Sequence, residues 1–168
     1  PSKVDAFVKG EQPAAGEVTK IRADSVVTGF ESICGPIPAD KLRPVTLGST
    51  TDDGRAAFAD TLTALQGKKN IAVSTINDDT GLGVMAAAKA ANRLDDIWMI
   101  SQGGDPTSWE NIRTNDHWIG DSAYFPERYG DIGIPAIIKL INGQDPGDLL
   151  VKHEAVNRGN IDQIYPQQ

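Results

Sequence analysis

A chain of 168 residues, 39% hydrophobic and 23% charged, is long enough to bury its own core and ordinary in composition for a globular protein. Its net charge of −7 argues against nonspecific binding to nucleic acid or an anionic membrane surface, and no apolar run approaches a bilayer span. Cys34 stands alone, which excludes an internal disulfide; such a residue is expected to be a small buried hydrophobe.

In chain order, Val4 to Val8 reads as a strand ending at the loop signal Gly10-Glu11-Gln12-Pro13. Val18 to Ile33 reads as a helix with Ile21, Val26, Phe30 and Ile33 roughly on one face, stopped by Gly35-Pro36. Pro44 to Gly48 is a second short strand. Thr51 or Asp52 can cap the next helix, whose apolar positions include Ala56, Ala59, Leu62 and Leu65. Asn70 to Ile76 is a third strand, apolar or small almost throughout, which favours burial on both faces as in a parallel sheet. Asp79 or Thr80 can cap a helix to about Leu94, with Leu82, Met85, Ala86 and Ala90 inward. Ile97 to Ile100 is a fourth strand, with Trp98 expected in the core, followed by the loop Ser101 to Pro106 and a short helix from Thr107 to Arg113. His117 to Ser122 makes a fifth strand. Pro126 to Ile141 reads as a helix with Pro at its start and a kink at Pro135; Leu149 to Val156 is a last strand. Strand and helix alternating at this spacing predict an α/β domain, a doubly wound parallel sheet of about five strands with flanking helices.

In such a sheet ligands bind outside the carboxyl ends of the strands. The loops there carry Glu11-Gln12, Thr50-Thr51-Asp52-Asp53, Asn77-Asp78-Asp79, Gln102-Gly103-Gly104-Asp105 and Asp121 to Phe125. Amides and carboxylates at fixed angles suit a sugar or polyol; the same residue types also serve turns and helix caps. Asp52-Asp53 and Asp78-Asp79 read as caps or as a metal or paired-acid site. Trp109 and Trp118 read as core or as stacking faces for a sugar ring. His117 and His153 lie outside these loops with no Ser or Cys motif beside them, and G-x-S-x-G, H-E-x-x-H and G-x-G-x-x-G are all missing, so neither an enzyme nor a cofactor is expected.

The run I71-A-V-S-T-I-N-D-D-T-G-L-G-V-M-A-A-A-K-A-A91 resembles the strand, Asn-Asp loop and small-residue helix of ribose-type periplasmic binding proteins of ABC transporters. Gly103-Gly104-Asp105-Pro106 sits where that family has an Asp-Gly-Thr-Pro-like loop. Trp109 to Arg113, Tyr124 to Gly130, Ile141 to Gln144 and Asn157 to Tyr165 resemble the segments that follow, and Arg22 to Ser25 with Gly29-Phe30 resembles a helix start upstream.

The resemblance implies a solute-binding component of an ABC importer, exported to a periplasm or lipid-anchored outside the cell, that binds a sugar or polyol between two lobes and works with a membrane permease. It implies that residues 1–123 are the C-terminal ligand-binding lobe. Residues 124–168 would be a crossover helix and tail that pack on an absent N-terminal lobe, so the chain would be a fragment of a larger precursor. The ligand-binding residues it implies are Asn77, Arg22, Asp52 or Asp53, and Tyr124 at a position often held by an amide; the loop after the first strand adds Gln12 as a candidate. Gly103 takes the place of a ligand-binding Asp, so that carboxylate is missing or supplied by Asp105. The other reading of the same resemblance is the effector domain of a LacI-type transcription regulator.

Overall fold

The computed structural model describes residues 3–167. Six strands form one sheet: β1 (Ala6–Glu11), β2 (Leu42–Thr46), β3 (Ile71–Ser74), β4 (Ile97–Gly103), β5 (Trp118–Ala123) and β6 (Glu154–Val156), in the order β2-β1-β3-β4-β5-β6. All neighbours run parallel except β6, which closes the edge antiparallel to β5. The helices are α1 (Glu17–Cys34), α2 (Thr51–Ala64), α3 (Asp78–Ala90), α4 (Pro106–Thr114), α5 (Tyr129–Ile141) and α6 (Ile161–Ile164). The chain steps from β1 to β2 on one side and returns past β1 to β3, so the order reverses beside β1 as in a doubly wound sheet.

Alternation along the strands sends side chains to two unlike layers. Ala6, Val8, Val73, Met99 and Trp118 join Phe58, Leu62, Val84 and Ala88 in one continuous core under α2 and α3. Full burial of each such aliphatic or aromatic side chain is worth about 1.5–3 kcal/mol. The opposite face carries Phe7, which meets Phe30 of α1 edge to face at 5.2 Å between ring centres. That face is only partly covered, and Trp98 stays 42% exposed on it.

Several expectations need correction. Gly10 and Glu11 belong to β1, because the central strand keeps pairing with β2 as far as Glu11–Thr46. The caps are Thr50 and Asn77, one to three residues earlier than expected, with side chains that accept from the N–H of Asp53 and Thr80. Ala56, Ala59, Ala86 and Ala90 face solvent, while Gly54, Phe58, Gly83, Val84 and Ala87 are inward. Here α2 and α3 press on each other as well as on the sheet, so glycines mark the closest approach. On α1 only Ala23 is buried; Ile21 and Ile33 are exposed, and Cys34, at the helix end, is exposed too. Pro126–Arg128 forms a 3-10 turn after Phe125, and α5 then runs through Pro135. The last strand shrinks to Glu154–Val156, and the short α6 follows it.

Candidate functional site

The start of α1 is tied to the loop after β1, since the Thr19 hydroxyl donates to the carbonyls of Gln12 at 2.9 Å and Gly16 at 2.8 Å. Arg22 stands in the second turn of α1. The Arg22 guanidinium lies over the Tyr124 ring, 4.7 Å from its centre, a cation–π arrangement. The Tyr124 hydroxyl donates to Gln102 Oε1 at 2.7 Å, and Gln102 Nε2 donates to the Thr75 carbonyl at 3.2 Å. His153, from the stretch before β6, packs on Tyr124 with ring centres 4.5 Å apart. These groups wall an open cavity of about 610 Å³, completed by Ser122, Asn157 and the apolar Ile21, Val26, Ile100 and Ile119. Burial pushes the Tyr124 phenol up to about 12, although the Arg22 charge pulls it down.

Charges beside this cavity are already satisfied. Lys9 on β1 pairs with Glu11 at 2.7 Å and Asp24 at 2.8 Å, and Lys20 pairs with Asp24 at 2.7 Å. Hydrogen bonds from Lys20 and then Lys9 lower the Asp24 carboxyl to about 2. Burial opposes the Lys9 charge, yet its bonds to Asp24 and Glu11 outweigh that and hold its pKa above the ordinary value. Among the described residues Arg22 makes no ion pair and no hydrogen bond.

Under the next loop lies a pair of buried carboxyls, Asp78 at 0% and Asp121 at 6% exposure. Asp78 Oδ2 accepts from the Asp105 N–H at 2.7 Å, and Ser101 donates to Asp121 Oδ2. Trp118 Nε1 donates in turn to Ser101 Oγ at 3.1 Å. The remaining oxygens, Asp78 Oδ1 and Asp121 Oδ1, have no donor. Burial, and then the hydrogen-bonded Asp78 carboxylate, push Asp121 up to about 9 against the pull of Ser101 and the Gly104 N–H. One proton held on Asp121 therefore supplies the donor the pair lacks.

The sequence matches no protein-family model and, significantly, no curated protein. Solved structures do match. An ABC transporter periplasmic solute-binding protein from Actinobacillus succinogenes, solved with bound D-allose, superposes with TM-score 0.81 at 16% identity, over 96% of this chain and 56% of that one. A solute-binding protein from Mycobacterium smegmatis with bound glycerol gives TM-score 0.82 at 19% identity over 100% and 57%. The Caulobacter myo-inositol binding protein gives 0.78 at 16% over 95% and 54%. This chain has the fold of a periplasmic-binding-protein lobe. It spans little more than half the length of each of those binding proteins.

Within the lobe, Arg22 and Tyr124 of the expected residues come together at the cavity. Gln12 lines a separate hollow beside Glu17 and Lys20. Asp52 is exposed and pairs with Arg55 at 3.2 Å, while Asp53 turns back toward the Ser49 N–H at 3.5 Å. Asn77 caps α3: its Oδ1 accepts from the Thr80 N–H at 2.9 Å and the Thr80 hydroxyl at 2.7 Å, and its Nδ2 donates to the Ser49 carbonyl at 2.9 Å. That leaves one amide N–H for anything else. Gly103, at φ +152°, has no room for the carboxylate whose place it takes, since a Cβ there would lie 2.8 Å from Asp78 Oδ2. Asp105 sits at the start of α4, raised first by burial and then by the charges of Asp78 and Asp79.

His153 escaped the sequence reading as a site member, while Gln102 and Ser122 stood in the candidate loops without being singled out. Their signal was strand register: Gln102 pairs with Ser122, and both share the face that ends at Tyr124. Trp118 is core, and Trp109 stacks on Tyr165 at 4.3 Å between ring centres rather than facing a ligand. Among the described residues no three His, Cys, Asp or Glu side chains gather as a metal site, and no helix is long and apolar enough to cross a membrane.

Proposed function

We propose that this chain is the C-terminal lobe of the solute-binding component of an ABC importer and that it takes a small polyhydroxylated solute, a sugar or polyol, at the carboxyl edge of its sheet. The observation that carries the reading is the Arg22–Tyr124–Gln102 cluster, a free guanidinium held against an aromatic face beside an amide at the mouth of a cavity of monosaccharide scale. The three binding proteins it superposes on were solved with allose, glycerol and myo-inositol, which favours the same ligand class here.

Of residues 124–168, expected to pack on a second lobe, α5 is the part assigned to that contact, since β6 pairs with β5 and Val156, Ile161 and Tyr165 lie in this lobe's core. Supporting this, α5 buries only Ala136 and exposes Ile134, Ile137, Ile138, Leu140 and Ile141. Asn77 joins the site from the neighbouring loop when the lobes close. The protein acts outside the cytoplasm, free in a periplasm or lipid-anchored, hands its solute to a membrane permease, and catalyses no reaction. The test is a thermal-shift screen with sugars, polyols and their acids. A specific ligand raises the melting temperature in proportion to its excess over Kd, and Arg22→Ala or Tyr124→Ala removes the shift. No stabilisation by any compound up to on the order of 10 mM, far above a Kd worth the name, rejects the reading.

A further inference from the structure

The unpaired Arg22 asks for a charge that the cavity wall does not supply. The wall contains one permanently charged side chain, Arg22, and one carboxyl, Asp121, whose oxygens turn to Ser101 and Asp78 on the other face of the sheet. The nearby Lys9, Lys20, Glu11 and Asp24 neutralise one another. Of the acidic residues of the other loops, Asp52, Asp53 and Asp79 stand in the first turns of α2 and α3 and Asp105 is the N-cap of α4, and none lines the cavity. A half-buried guanidinium among Ile21, Val26, Ile100 and Ile119 is thus left without a counter-charge in a chain whose net charge is −7.

From this juxtaposition, and resting on the polyol-binding reading above, we infer that the solute carries its own carboxylate: a sugar acid, uronic or aldonic, whose carboxyl group pairs with Arg22 while its hydroxyls meet Gln102, Ser122 and Asn157. The shapes agree. A guanidinium presents parallel N–H donors that match a planar carboxylate in a bidentate pair. Gln102 keeps one amide N–H free after bonding Thr75, and Tyr124 fixes its oxygen. A phosphate ester brings nearly two charges to a single cation between apolar walls, which leaves the second uncompensated.

Calorimetric titration of the full chain with matched pairs decides the matter: D-galacturonate against D-galactose, D-gluconate against D-glucitol, D-ribonate against ribitol, and D-ribose 5-phosphate against D-ribose. At least one acid is expected to bind about tenfold or more tighter than its neutral partner, the margin of a charge-assisted pair. Arg22→Gln should bring the acid down to the neutral compound, and Arg22→Lys should keep part of the preference. Among the described residues Arg22 makes no ion pair or hydrogen bond, so both variants should keep the wild-type circular dichroism; the wild-type pairs stand as a test by themselves. Neutral partners binding as tightly or tighter overturn the sugar-acid inference and leave the polyol reading in place. Preference for the 5-phosphate alone overturns the carboxylate. No binding in either series removes the polyol reading and this inference with it.

Discussion

Asn77 shows how one residue can carry a resemblance and a structural duty together. Its amide bonds Thr80 twice and reaches across to Ser49, so it joins the loop after β2 to the start of α3. Asn77→Ala removes the cap and orphans the Thr80 N–H. Urea unfolding should show a loss of about 1–2 kcal/mol, so reduced ligand affinity in that variant is interpretable only beside its stability. Asp121 has the opposite character, invisible in sequence because its environment is assembled from β4, β5 and α3. Burial and the neighbouring Asp78 push its carboxyl up to about 9 from the ordinary 3.8, so the folded state holds a proton there that the unfolded chain releases. The stability it lends is fully present below pH about 4 and is lost as pH rises toward 9. Asp121→Asn keeps a donor for Asp78 without a titrating proton. Melting temperatures from pH 4 to 9 should therefore fall less steeply in the variant than in wild type; parallel curves would reject the shared proton.

Element by element, the strands were the legible part. Short apolar runs bounded by turn residues located five of the six within a few positions, since a strand buried on both faces carries its signal in composition alone. Helix faces were less legible, because a small-residue helix has two buried sides. In α3 the period-based reading chose Ala86 and Ala90, but the contact that matters is glycine. A Cβ on Gly83 would lie 2.2 Å from the Thr51 carbonyl oxygen and 2.6 Å from the Arg55 nitrogen, both backbone atoms of α2. Gly83→Ala must push the two helices apart, at a cost of about 1–3 kcal/mol by chemical denaturation. Gly133, inside α5, meets nothing within 4 Å of a built Cβ. Gly133→Ala should be neutral or stabilising by up to about 1 kcal/mol through the unfolded state. If the two changes have equal effects, the glycines of α3 are not what sets the helix spacing.

At the scale of the whole chain, the order β2-β1-β3-β4-β5-β6 was legible only as a class, because register and reversal depend on contacts far apart in sequence. The site was legible at Arg22 and Tyr124, which a motif could point to, only as loop members at Gln102 and Ser122, and not at His153, which packing brings in. Trp98 and Cys34 failed as core predictions for a shared reason: the α1 side of the sheet is incompletely covered, so apolar character there does not mean burial. The same reasoning applies with more force to α5. Ile134, Ile138 and Ile141 are 61%, 53% and 78% exposed and recur at helical spacing, a stripe with no partner among the described residues. If α5 packs on a second lobe, that stripe contributes nothing to the stability of this one. The triple change Ile134→Lys, Ile138→Lys, Ile141→Lys should then leave the urea midpoint of the chain nearly unmoved, within about 0.5 kcal/mol per site. By contrast Ile112→Ala, at a core position 1% exposed, should cost about 2–5 kcal/mol. A loss for the lysine triple comparable to that of Ile112→Ala would mean that α5 packs on the present lobe, and its assignment to another would have to be withdrawn.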